Sequence, residues 1–238
     1  MSNILDAIFQ RRAVKVFDPV EIPPETREQI LEAARLAPSS FNIQPYRFYW
    51  IEAPAARREA ARLCMNQSPA ATASALIVAV AVLGSWQPTT HAHLAWMRTA
   101  GFSPEKIEES EQKSEWAKWF FIQGWFGILG ALKWLICRLV NVFKTLGSPP
   151  VARQGMFKWA TKNTSLACEN LMIAAEALGL NTCPMEGFDG RRLSKFLGLS
   201  PRHEIVLVIA IGKKSLRHID QPQWRRPLHA TVEVLCSP

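Results

Sequence analysis

The chain has 238 residues, 48% of them apolar and 20% charged, and a formal charge of +8. That length and mix describe a globular protein with a sizeable core and exclude a disordered chain. The positive balance suits nucleic acid, anionic lipid or a phosphorylated small molecule. The sequence has no helix-turn-helix or zinc-finger pattern and only two tyrosines for stacking, which argues against nucleic acid.

Five cysteines, Cys64, Cys137, Cys168, Cys183 and Cys236, form no C-x-x-C pair, and their odd number favours reduced thiols in the cytoplasm. The opening stretch SNILDAIFQRR lacks the apolar core of a secretory signal. It spaces Ile4, Leu5, Ile8 and Phe9 on one helical face, with Ser2 as N-cap. PPETREQILEAARLAP is a second helix, entered through prolines and stopped at Pro38. A polar loop, SSFNIQP, leads into the aromatic strand YRFYWIE, and PAARREAARL follows as a surface helix. SALIVAVAVLG is a strand buried on both faces.

Residues 153–178 read as one long helix with Gly179 as its C′ residue. DGRRLSKFLGL is a short helix and HEIVLVIAIG a second buried strand. The tail ATVEVLC alternates like a strand and suits a sheet edge on this subunit or a neighbour. Helices and strands alternate too irregularly for a doubly wound fold, and no G-x-G-x-x-G follows a strand. The expected class is α+β, a mixed sheet flanked by helices, in a single domain over 1–238 with a divergent insertion at about 84–150.

Four stretches remain: RRAVKVFD (11–18), APSSFNIQPYRF (37–48), NTCPMEGFD (181–189) and IGKK with QWRRP (211–227). In this order and spacing they resemble the FMN-dependent nitroreductase family over roughly 1–83 and 153–238. The resemblance implies a mostly antiparallel sheet and an intertwined homodimer with C-terminal strand exchange and FMN at the subunit interface. It also implies hydride transfer from NADH or NADPH through flavin N5 to a small electron-poor acceptor, a nitroaromatic or quinone, with ping-pong kinetics. Rival readings are another flavin chemistry on the same fold (enone reduction, dehalogenation or dehydrogenation) and a non-catalytic protein binding flavin or lipid at a membrane surface.

By that resemblance Arg11 and Arg225 grip the FMN phosphate, the charge-assisted contact arginine makes well. Arg12 and Lys15 lie further along the cofactor, with Lys15 near the ring's N1/O2 edge. Ala13 stands where the family commonly has serine, and Gln223 where relatives often carry lysine; Arg226 or Lys214 would compensate. Pro38, Ser39, Ser40 and Asn42 form a loop beside the flavin, contributed by the partner subunit. Gln67 is either an amide on the pyrimidine edge or an exposed loop amide. Pro184 and Met185 pack on one ring face, and the backbone of Glu186 or Gly187 points at N5. Gly187 suits a close backbone approach. Asn163 is a further neighbour of the ring. No side chain is needed as a catalytic base, because the cofactor carries the chemistry.

Between Trp119 and Phe143, 18 of 25 residues are apolar. The longest uncharged run, Trp119 to Leu132, falls short of the ~20 residues a spanning helix needs. Two readings of residues 118–144 stand: helices capping the active site, or a peripheral membrane contact with tryptophans and lysines at headgroup level. Gly124, Gly127 and Gly130, at a spacing of three, predict close helix packing.

Overall fold

The computed structural model describes residues 4–122, 124, 127–144 and 151–235. Ser2 and Cys236 lie outside them. In chain order the elements begin with α1 (Ile4–Gln10), β1 (Phe17–Asp18), α2 (Pro24–Arg35), β2 (Tyr46–Ile51), α3 (Pro54–Leu63), α4 (Ser68–Thr72) and β3 (Ala75–Val82). They continue with α5 (Trp86–Thr99), α6 (Pro104–Phe121), α7 (Ile128–Phe143), α8 (Arg153–Ala177), β4 (Asn181–Met185), α9 (Gly190–Phe196) and β5 (His203–Lys214).

The sheet runs β1-β5-β3-β2, with β4 also on β5, and every pairing is antiparallel. β3 and β5 form its centre; Leu76, Ile77, Val78, Val208 and Ile209 have no accessible surface. An uninterrupted apolar run is what a strand with both faces covered requires. One face packs on α3, α4 and α9 through Leu63, Cys64, Met185 and Leu193. The other packs on α2 and α8 through Ile30, Ala34, Leu171 and Ala175. α8 ends as the sequence predicts: Gly179 adopts φ 78°, its N–H donates to Glu176 O, and Leu180 N–H donates to Ala175 O. Those two bonds make a Schellman cap.

Two apolar segments stay uncovered within the protomer, and one expectation, the glycine packing, is corrected. The apolar stripe of α1 is not covered: Ala7 is buried, but Ile4, Ile8 and Phe9 are exposed. A helical period shows which residues share a face, not what covers that face. On its own protomer the tail adds no strand over 231–235 and stays exposed, with Val234 and Leu235 open to solvent. Gly124 and Gly127 do not pack helices together; with φ 67° and 81° they sit in the turn between α6 and α7, and only Gly130 is helical and buried. Among the described residues no helix is long and apolar enough to cross a membrane.

Candidate functional site

Strand β4 organises the site. After α1 the chain runs beside it: Ala13 makes a parallel bridge with Thr182, and Val14 N–H donates to Thr182 O at 3.1 Å. This carries Lys15 to Cys183, ammonium to sulfur at 3.3 Å. Arg11, largely covered, reaches Glu169 on α8 at 3.8 Å. Beyond β4, Gln67 Nε2 donates to Gly187 O at 2.6 Å and Cys64 O at 3.1 Å. The loops 11–15, 65–67 and 186–187 therefore share one edge of the molecule, as the sequence motifs imply.

The C-terminal connector also returns to this edge, by residues the sequence reading missed. Lys15 N–H donates to His218 Nδ1 at 3.3 Å, and His218 Nε2 lies 3.7 Å from Asp220. With Nδ1 accepting, the ring proton sits on Nε2, facing the carboxylate. Lys214 binds Asp220 at 2.7 Å, and that hydrogen bond, with the fields of Lys214 and Arg12, holds the Asp220 carboxyl below its ordinary range. The two chain ends thus meet through His218 and Asp220. Arg225 is not brought to Arg11 within the protomer; it is exposed, and its guanidinium donates to Trp224 O. Gln223 and Arg226 lie in the same exposed stretch. The signal that could have found His218 is its position four residues past Lys214, where β5 delivers the chain to Lys15.

Arg12 turns its Nη1 onto the carbonyls of Phe9, Gln10 and Arg11. A cation on the last carbonyls of a helix is a favourable cap. Met185 is corrected too. Neighbours on a strand point to opposite faces, so Met185 enters the core beside Val14 and Leu193 while Pro184 stays half-buried on the other side. The two side chains therefore lie on opposite faces of β4.

The loop after α2 forms a second group. Ser39 Oγ accepts Gln44 N–H at 3.0 Å, Ser40 N–H donates to Asn163 Oδ1 at 2.9 Å, and Asn42 Oδ1 accepts from Gln44 Nε2 at 3.1 Å. Pro38 is exposed at its entry. Asn163 is buried, with its Nδ2 on Trp159 O, so its amide positions the loop. No hydrogen bond among the described residues joins this loop to residues 11–15. A cavity of about 420 Å³ opens beside it, between Phe41–Ile43 and residues of α5 and α6 that include Thr90, His93 and Met97.

Phe41, Asn42 and Gln44 have φ of 56°, 53° and 51°, and Met65 and Asn66 have φ of 57° and 49°. Left-handed non-glycine backbone costs energy and gathers at ligand sites. All five such residues among those described fall in the two loops that the motifs pick out. One buried side-chain oxygen among the described residues lacks a partner: Thr182 Oγ1, on the strand beside Ala13. Cations and an amide along one edge fit a ligand with an anionic end and a polar ring.

The fold is that of a mixed α+β protein whose antiparallel sheet ends in a cation-lined edge. Residues 8–213 match the nitroreductase family, and the chain belongs to it. Protein DrgA of Synechocystis is 29% identical over 225 residues, covering 94% of this chain and 89% of its own. YodC of Bacillus subtilis, provisionally named an NAD(P)H nitroreductase, is 27% identical and covers 90% of each chain. A structure from Exiguobacterium sibiricum, solved in complex with FMN, has a TM-score of 0.73 at 22% identity and covers 99% of this chain and 98% of that one.

Proposed function

We propose that the protein is an FMN-dependent oxidoreductase using NADH or NADPH as reductant. The single observation carrying this reading is the shared edge of Arg11, Lys15, Gln67 and Gly187, in a chain belonging to the nitroreductase family. When bound, FMN supplies reversible hydride acceptance at N5, which the protein itself lacks. Arg11 offers the phosphate a charged donor, and Glu169 keeps its guanidinium in place. The Lys15 ammonium, fixed against Cys183, holds positive charge where the ring's pyrimidine edge would lie. Gly187 lets the backbone come close to the ring, and Gln67 fastens that loop.

The assembly we infer is a homodimer. Its support is the exposed apolar residues on α1 (Ile4, Ile8, Phe9) and along the tail (Trp224, Leu228, Leu235), which a second copy would cover by tail exchange. In that dimer the strained loop at Ser39–Asn42 would complete the partner's flavin site, Arg225 would reach the partner's phosphate, and α5 and α6 would cap the acceptor pocket. A nitroaromatic or quinone is the acceptor class we infer. Four described cysteines are unbonded and buried, in keeping with the reducing cytoplasm. An acceptor screen with reconstituted enzyme tests this reading; turnover confined to enones or to alkyl halides would replace it with another flavin chemistry.

A further inference from the structure

Helix α7 is built inside out. Gly130, Lys133 and Cys137 are its buried residues, while Ile128, Leu132, Leu135, Leu139 and Val142 are 68%, 52%, 48%, 59% and 72% exposed. At about 100° per residue the two sets lie on opposite sides of the helix. A water-facing helix places its residues the other way round. The cause is Lys133, whose ammonium turns inward onto the carbonyls of Trp119 and Ile122 at the end of α6 and lies over the Trp119 ring. Burial lowers the pKa of this lysine, and the carbonyls it binds compensate the buried charge. Anchoring that lysine holds the leucine stripe outward.

The surrounding sequence has a matching charge. From Trp116 to Cys168 there are seven lysines and arginines and no aspartate or glutamate. Arg138 lies against the Trp134 ring on the flank of the stripe, and Lys144 stands at the helix end. At 16 residues α7 is about 24 Å long, too short to cross a bilayer of ~30 Å. A stripe of aliphatic side chains flanked by cations and aromatic rings, in a stretch of chain without acids, is the chemistry of an interfacial helix. A second copy of this basic chain would bring the same cations to the seam, whereas an anionic headgroup layer pairs with them. We propose that α7 lies on the surface of an anionic phospholipid bilayer, with Leu132, Leu135 and Leu139 in the acyl boundary and the cations among the headgroups. The inference goes beyond the flavin reading and does not depend on it.

The test is co-sedimentation of the full-length, FMN-supplemented protein with vesicles of three parts phosphatidylcholine to one part phosphatidylglycerol. The flavin spectrum is read on the same preparation, so that loss of cofactor and loss of lipid binding are told apart. The wild-type protein should pellet with these vesicles, less with phosphatidylcholine alone, and less again in high salt. The double substitution Leu135→Glu with Leu139→Glu should lower the partition constant by about tenfold or more, whereas Leu36→Glu, on the distant exposed end of α2, should not. Wild-type protein that stays in the supernatant with anionic vesicles overturns the proposal, and this holds even if the double variant folds poorly. Equal binding by the double variant overturns it as well. So does a double variant that halves the mass in light scattering while the wild-type protein ignores vesicles, because the stripe would then face a second copy of the chain.

Discussion

Replacing Gly187 by alanine addresses the contact that ties the two candidate cofactor loops together. A Cβ built there falls 2.8 Å from Gln67 Nε2 and 3.6 Å from Gln67 Cδ. A relaxed carbon–nitrogen contact needs about 3.5 Å, so the amide must retreat by roughly 0.7 Å. Its bond to Gly187 O, now 2.6 Å, would stretch to about 3.3 Å, past the useful range. Losing one such bond costs about 1 kcal/mol, which lowers Tm by roughly 2–4 °C in a chain of this size. The Gln67 side chain is flexible, so a larger loss is not expected. In a Gln67→Ala background the amide is gone and the same glycine substitution should cost less than about 0.3 kcal/mol, a coupling of near 0.7 kcal/mol. Thermal unfolding of the four proteins measures this cycle. An equal cost of Gly187→Ala in both backgrounds would refute the reasoning and place the strain in the backbone instead.

Arg11→Ala should weaken FMN binding by roughly ten- to hundredfold, the worth of a charged hydrogen bond, and calorimetric titration within twofold of the parent would remove Arg11 from the phosphate. Arg225→Ala should also weaken FMN binding while leaving the Tm of the apoprotein unchanged, since among the described residues the guanidinium holds only Trp224 O; equal FMN affinity by flavin fluorescence would show that it serves no phosphate. Burial pushes the Cys64 thiol up to about 11 and Cys168 up to about 12. The unfolded chain ionises these thiols near pH 9, before the folded one does, so stability should fall as pH rises from 9 toward 11 and 12. Urea unfolding at pH 8 and pH 10 checks the sign, and a flat or rising midpoint contradicts it.

Much of the fold was legible in the sequence because local patterns determine it. The apolar runs of β3 and β5 require two covered faces, and Gly179 after a long helical period requires a left-handed cap; both are present. The site was legible as a set of stretches, since P-M-E-G and the 11–15 run do meet along β4. What failed was the direction of individual side chains. Met185 was assigned to a ring face although β4 alternation sends it to the core. Nor does the sequence show that Arg12 sends its Nη1 back onto the carbonyls that end α1. His218 and Asp220 went unnoticed because only the tertiary path of β5 brings them to Lys15. The stripe of α1 and that of α7 share a further reason: periodicity finds an apolar face but cannot say whether the protomer, a partner or lipid covers it.

The most direct test of the account is the visible spectrum of the purified protein reconstituted with FMN, followed on anaerobic addition of NADH or NADPH. A bound flavin band around 450 nm that bleaches with one of the two nucleotides is the predicted result. Protein that retains no flavin after reconstitution, or a bound flavin that neither nucleotide bleaches, would contradict the claim that this edge is the active site of an NAD(P)H-dependent FMN oxidoreductase.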